Sequence, residues 1–161
     1  MTTVRPHLWF GNNRAVEAAR FYAQHLPNSS VEKVVRAPVG VPGVDEGAAF
    51  IVEFTVAGLP VIGLNAGPHF TLDEAFSFYL RVDTQDEVDR YWSVLTADGG
   101  EAGPCGWCKD RFGVSWQVIP GRLEELSGDY STEANLRVMN AMLQMGKIDI
   151  AALERAYDGE T

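Results

Sequence analysis

Cysteine is scarce in this chain. There are two, Cys105 and Cys108, spaced as "CGWC", and only three histidines. That leaves too few soft ligands for a structural zinc site. Redox C-x-x-C pairs need a helix N-terminus to lower the thiol pKa, but the second cysteine runs into "KDRFGVSWQVIP". Asp110 to Gly113 reads as a turn and Val114 to Ile119 as a strand. In an extended strand, residues three apart lie roughly 10 Å apart, beyond the ~7 Å a disulfide spans. The thiols are expected to be reduced and unpaired. Positive charge is also short: 13 Lys and Arg against 22 Asp and Glu give a net charge of −9. A phosphate backbone would be repelled, so nucleic acid is not an expected partner. No long apolar run exists either. The richest stretch, Ala48 to Gly67, is broken by Glu53, Gly58, Pro60 and Gly63, so no membrane span is expected. No basic segment precedes an apolar core in "MTTVRPHLWF", so a signal peptide is not expected and the cytoplasm is the expected compartment.

What is present falls into two halves of one domain over 1–161, the first over 4–67 and the second over 75–120. Val4 to Phe10 reads as a strand. Gly11 to Asn13 is a turn, and Arg14 to Leu26 carries Val16, Ala19, Phe21 and Leu26 at helical spacing. Val31 to Ala37 is a second strand. Ala48–Val56 and Leu59–Asn65 form a hairpin about Ala57-Gly58. The second half repeats that order. Phe76–Val82 is a strand, and Thr84 with Glu87 makes a capping box. The helix that follows ends at Gly99-Gly100. Weak strand signal over Glu101–Lys109 allows two short strands before Val114–Ile119. The segment 121–161 is helical: Gly121–Leu126, Thr132–Met145 capped by Ser131, and Asp149–Tyr157. The expected fold class is α+β, two paired β-α-β-β-β modules with C-terminal helices.

Alternation along the strands separates two faces. Leu8 and Phe10, Phe78 and Leu80, and Trp116 and Val118 form an apolar face suited to packing under helices. The opposite face carries His7 and Trp9, Ser77 and Tyr79, and Gln117. Aromatic walls with a few convergent polar groups suit a small planar organic ligand. Asn65 joins this set by its place two residues after Gly63. His7 is a ligand contact or base, or a hydrogen-bonded core histidine. His69 sits in a Gly-Pro loop, and His25 suits a helix C-terminus. Glu53, the one carboxylate in its strand, is expected to pair with Arg5 or Arg81. Met139, Met142 and Met145 form a stripe for helix packing or a subunit contact.

The stretches "HLWFGNNRAVEAARFY", "NAGPHF", "EAFSFYL", "DEVDRYWSVL" and "CGWCKDRFGVSWQVIP" together resemble the PhnB-like branch of the vicinal oxygen chelate superfamily. This superfamily also holds glyoxalase I, bleomycin and fosfomycin resistance proteins and extradiol dioxygenases. The branch is labelled 3-demethylubiquinone-9 3-methyltransferase. The resemblance implies paired modules that curl into a cup, and a homodimer. It also implies metal-ligand positions, which in this chain read His7, Gly63, Ser77 and Gln117. One imidazole, one amide and a hydroxyl make a poor divalent site. The methyltransferase label does not match the residues: "GLPVIGLNAG" is Gly-rich but lies in a hairpin, and the strand order is wrong for a doubly wound parallel sheet. The expectation is a small-molecule binder with no metal and no cofactor. The alternatives are a metal-dependent lyase, isomerase or dioxygenase of the glyoxalase type, and a methyltransferase acting on a ubiquinone-like phenol.

Overall fold

A computed structural model describes residues 1–160. The chain divides into two compact units, Met1–Asp73 and Glu74 onward. In the first, β1 (His7–Trp9) leads to α1 (Ala15–His25), β2 (Ser30–Arg36), β3 (Ala49–Val56) and β4 (Leu59–Leu64). The sheet order is β1-β4-β3-β2. β1 runs parallel to β4, and the other two pairs are antiparallel. A parallel pair needs a crossover, so α1 must cover one face of the sheet. That face packs Leu8, Phe10, Val52, Phe54 and Val61 against Ala15, Ala18, Ala19 and Tyr22, all buried. The β3–β4 turn is the expected Ala57-Gly58. Both residues have positive φ, 46° and 87°, as a tight primed turn requires. Two bonds hold the strained Ala57 in place: Ala57 N–H donates to Ser29 Oγ at 2.8 Å, and Gly58 N–H to Asn28 O at 2.8 Å.

The second unit repeats this topology. β5 (Phe78–Val82), α2 (Gln85–Thr96), β6 (Glu101–Ala102), β7 (Trp107–Lys109) and β8 (Ser115–Pro120) form a sheet ordered β5-β8-β7-β6. β5 and β8 are parallel. The capping box is formed: Thr84 Oγ1 accepts from Glu87 N, and Glu87 reaches back to Thr84 N. Three helices follow, α3 (Gly121–Ser127), α4 (Glu133–Met142) and α5 (Ile150–Asp158). The fold is therefore α+β, with two mixed four-stranded sheets built on the expected β-α-β-β-β order.

Two expectations for the helical segment change. Thr132, rather than Ser131, caps α4: its hydroxyl accepts from Asn135 N at 3.1 Å. The helix also stops at Met142 instead of Met145. Beyond it, Gln144 and Met145 make tighter i→i−3 bonds. The carbonyls of Met145 and Gly146 then accept from Cys105 N and Gly106 N, each at 2.7 Å, so the chain turns aside to meet the β6–β7 hairpin tip.

The hairpin joining β7 to β8 is organised by one buried carboxylate. Asp110 is 2% exposed. Its Oδ1 accepts from Phe112 N at 2.9 Å and Val114 N at 3.1 Å, and its Oδ2 from Trp116 Nε1 at 2.9 Å. Removing the carboxylate strands three buried donors, each costing roughly 1–3 kcal/mol. Asp110→Ala is expected to destabilise the protein by about 3 kcal/mol or more, and Asp110→Asn by less, because its amide oxygen still serves the two backbone donors. Urea unfolding of both variants checks this. Equal, small losses would show that the turn does not depend on the carboxylate.

Candidate functional site

The second sheet has the two faces its sequence alternation requires. Phe78, Leu80, Val82, Trp116, Val118 and Cys108 are buried on the α2 side. Register puts Tyr79 opposite Gln117, Trp107 opposite Gln117, and Arg81 opposite Ile119 on the other face. The three C-terminal helices cover the Ile119 end of that second face. Ile119, Leu123, Leu126, Val138, Ile148 and Leu153 form one buried cluster, with Met142 and Met145 packed against it. Burial of such side chains is worth about 1.5–3 kcal/mol each, enough to hold the helices on the sheet. Two of the three stripe methionines are therefore used for packing within the chain.

Between sheet face and helices lies a cavity of about 380 Å³. Tyr79, Trp107, Gln117 and Ile119 line it from the sheet, Leu123, Glu124 and Ser127 from α3, Tyr130 and Met142 from beyond it, and Cys105 from the hairpin tip. Tyr79 O–H donates to Glu124 Oε1 at 2.6 Å, and Arg81 Nε–H to Glu124 Oε2 at 3.0 Å. Arg81 also donates to Asp83 Oδ1 at 2.7 Å. The Tyr79 hydrogen bond, then the Arg81 guanidinium, hold the Glu124 carboxyl below its usual range. Half of Tyr79 is exposed, yet desolvation of its hydroxyl end and the Glu124 bond push its pKa up. At neutral pH Glu124 is an anion and Tyr79 a proton donor. Gln117 Nε2–H donates to Ser77 Oγ at 3.0 Å, which leaves the amide oxygen for another partner.

A second hollow of about 300 Å³ lies along β6 and β7 of the same unit, lined by Ala102, Pro104, Trp107, Lys109, Ser115 and others. Lys109 is bridged there to Glu74 at 2.6 Å, and the Ser115 hydroxyl is buried without a hydrogen-bond partner.

In the first unit, His7 is exposed and Trp9 half-buried. Trp9 Nε1–H donates to Gly67 O at 2.8 Å, and its ring meets Phe70 edge-on at 4.9 Å and His69 at 6.3 Å. Glu53 pairs with Arg5 at 2.9 Å, as expected, and that bond lowers its pKa. Asn65 is not where the sequence put it. Leu8 and Val52 pair with Gly63, so Gly63 and Asn65 belong to the α1 side. Asn65 is 2% exposed. Its Oδ1 accepts from Ala15 N at 3.0 Å and its Nδ2–H donates to Ala49 O at 3.0 Å, so it anchors the start of α1. Gly63 cannot stand for a metal-ligand position either. A Cβ there would lie 3.0 Å from Ala15 Cβ and 3.2 Å from Phe10 Cε2, inside the core. The residues of β4 that share a face with His7 are Ile62 and Leu64, and both are apolar.

Among the described residues, no three His, Cys, Asp or Glu side chains gather as a metal would need. Of the six residues singled out from sequence, Ser77, Tyr79 and Gln117 come together, His7 and Trp9 stand on the matching face of the first sheet, and Asn65 does not join them. Trp107, Glu124, Tyr130 and Met142 were missed. Trp107 had a signal, since its alternation with Cys108 puts it on the Gln117 face.

Both thiols are free, but not because a straight strand separates them. Cys105 occupies a turn with φ 55°, followed by Gly106 at 82°, and Cys108 faces the core in β7. Burial, then the Asp110 charge, push the Cys108 thiol up to about 12.

Comparison with known proteins completes this picture. A family profile described as 3-demethylubiquinone-9 3-methyltransferase matches residues 2–119. The PhnB protein from Bacillus cereus is similar at 26% identity and TM-score 0.63, over 74% of this chain and 99% of that one. A protein from Pseudomonas aeruginosa matches at 22% identity and TM-score 0.60, over 74% and 98%. The genomically encoded fosfomycin resistance protein FosX from Listeria monocytogenes matches at 17% identity and TM-score 0.51, over 78% and 97%. No curated protein matches the chain.

Thiol titration is expected to find one reactive group in the native protein, Cys105, and two after denaturation. Two groups lost together in the monomer, and recovered with reductant, would contradict the turn geometry.

Proposed function

The chain belongs to the family described as 3-demethylubiquinone-9 3-methyltransferase, within the glyoxalase/bleomycin resistance superfamily, and from that premise we propose that it binds a small organic ring compound without a resident divalent metal. The observation that carries this reading is the 380 Å³ cavity on the mixed face of the second sheet, with Trp107 and Tyr79 as aromatic walls and Gln117 as a free amide acceptor. Its size suits a single small ligand, since such sites run from about 300 to 1,000 Å³. His7 and Trp9 offer a similar chemistry on the corresponding face of the first sheet.

The rival chemistries fit the residues less well. Of the inherited metal positions, His7 is exposed, Gly63 points into the core, and Ser77 is bonded to Gln117. That donor set lacks the carboxylate a hard or borderline cation wants. The family description names a methyl transfer, but each sheet has only one parallel pair. Neither is the doubly wound parallel sheet, with a Gly-rich strand-to-helix loop, that holds a nucleotide-like cofactor.

A panel of phenols and anilines tests the reading by thermal shift. A ligand at about five times its Kd stabilises by about 1 kcal/mol, a rise of about 2–4 °C for a chain this size. That rise is expected in wild type and not in Tyr79→Ala. Elemental analysis after dialysis without chelator tests the metal half. One equivalent of zinc, nickel, iron or manganese per chain, lost in His7→Ala, would restore the metal-enzyme alternative.

The same proposal includes a homodimer. With Met142 and Met145 packed internally, it rests on the family and on the exposed Leu136 and Leu143 of the α4 region. Sedimentation at micromolar concentration is expected to give twice the 17.7 kDa chain mass. A strictly monomeric mass would remove it.

A further inference from the structure

The family match ends at residue 119, and α3 begins at Gly121. The match to the Bacillus cereus protein uses 99% of that chain but only 74% of this one. About a quarter of the present chain thus lies outside it. The helical segment α3–α5 is nevertheless not an appendage, because Leu123, Leu126, Val138 and Leu153 are buried in one cluster with Ile119 of β8. It also supplies half of the cavity wall: Glu124, Tyr130 and Met142 all line it.

We propose that α3 and α4 form a wall of the ligand site that the matched family region does not supply, and that Glu124 on this wall makes the site select ring compounds bearing a hydrogen-bond-donating, cationic nitrogen. This rests on the small-molecule reading given above. Glu124 accepts one bond on each oxygen, from Tyr79 and from Arg81, and each carboxylate oxygen can accept a second. Tyr79 spends its proton on Glu124, so what it offers the cavity is a lone pair. The amide oxygen of Gln117 is a further acceptor. Arg81, the cation bonded to Glu124, does not line the cavity and is shared between Glu124 and Asp83. The polar lining thus offers acceptors at Tyr79, Gln117 and Glu124 beside the Ser127 and Tyr130 hydroxyls and the Trp107 indole, and Glu124 is its one charged group, in a chain of net charge −9. An anionic ring would be repelled, a neutral one tolerated, and an amidinium or alkylammonium donor favoured.

Three probes of one ring size separate these cases: benzamidine, phenol and benzoate, titrated into the full-length protein by ligand-observed NMR at neutral pH. The expected order of affinity is benzamidine, then phenol, then benzoate. Glu124→Gln is expected to weaken benzamidine about tenfold, the loss of one charge-assisted bond, and to leave phenol nearly unchanged. Met142→Trp is expected to fill the cavity and abolish binding of all three. Should that variant fail to fold, Tyr130→Ala replaces it. Tyr130 is half exposed, so the fold tolerates its loss, and phenol and benzamidine should both weaken about threefold or more. Rings that bind wild type and the helix variants alike would overturn the wall while leaving the small-molecule reading intact. Benzoate binding as tightly as benzamidine, or no effect of Glu124→Gln, would overturn the ligand class. Failure of all three probes to bind wild type would overturn this proposal and the reading beneath it.

Discussion

The second unit depends on the placement of β8, and the Asp110 carboxylate sets it. Without a partner for the Trp116 indole and the two backbone amides, the β7–β8 turn would bury three unpaired donors. With it, β8 lies antiparallel to β7 and parallel to β5. That double pairing brings Tyr79, Gln117 and Trp107 into one row. A slip of one residue would exchange the two faces and send Trp116 and Val118 to the cavity. The largest fully buried side chain, Trp116, thus also fixes which polar side chains face away from the core.

The two units share one topology but use their mixed faces differently. In the first, the loop after β4 folds back, and Gly67 and Phe70 pin the Trp9 ring. Glu53 is spent on Arg5. In the second, the corresponding face is covered at one end by helices, and the Tyr79 hydrogen bond and the Arg81 ion pair to Glu124 reach from sheet to helix. The same strand order is therefore closed by a loop in one unit and by helices in the other.

Local features were legible in the sequence because their causes are local. The Thr84–Glu87 box, the Ala57-Gly58 turn, the Asp110–Gly113 turn and the strand alternation each depend on residues a few positions apart. Gly63 and Asn65 were misplaced for a definite reason. In "VIGLN" both parities are apolar, so alternation alone cannot say which one faces α1; the pairing of His7 with Ile62 decides it. Glu124 left no signal, since its partners Tyr79 and Arg81 lie more than forty residues earlier. An exposed helical glutamate looks the same whether or not a tyrosine meets it. The end of α4 was equally hidden, because backbone donors at Cys105 and Gly106 claim the carbonyls of Met145 and Gly146 just beyond it.

The junction between sheet and helical segment has its own requirement. Pro120 closes β8 and, lacking an N–H, gives up nothing at the start of a helix. The next residue must be small. A Cβ on Gly121 would sit 2.1 Å from Arg81 Nη2, so any side chain there forces the guanidinium to swing. Arg81 in its present place holds one oxygen of Glu124, which leaves the other to Tyr79. The absence of one side chain at the strand-to-helix junction thus permits the ion pair that aims Glu124, and through it decides what charge the cavity presents.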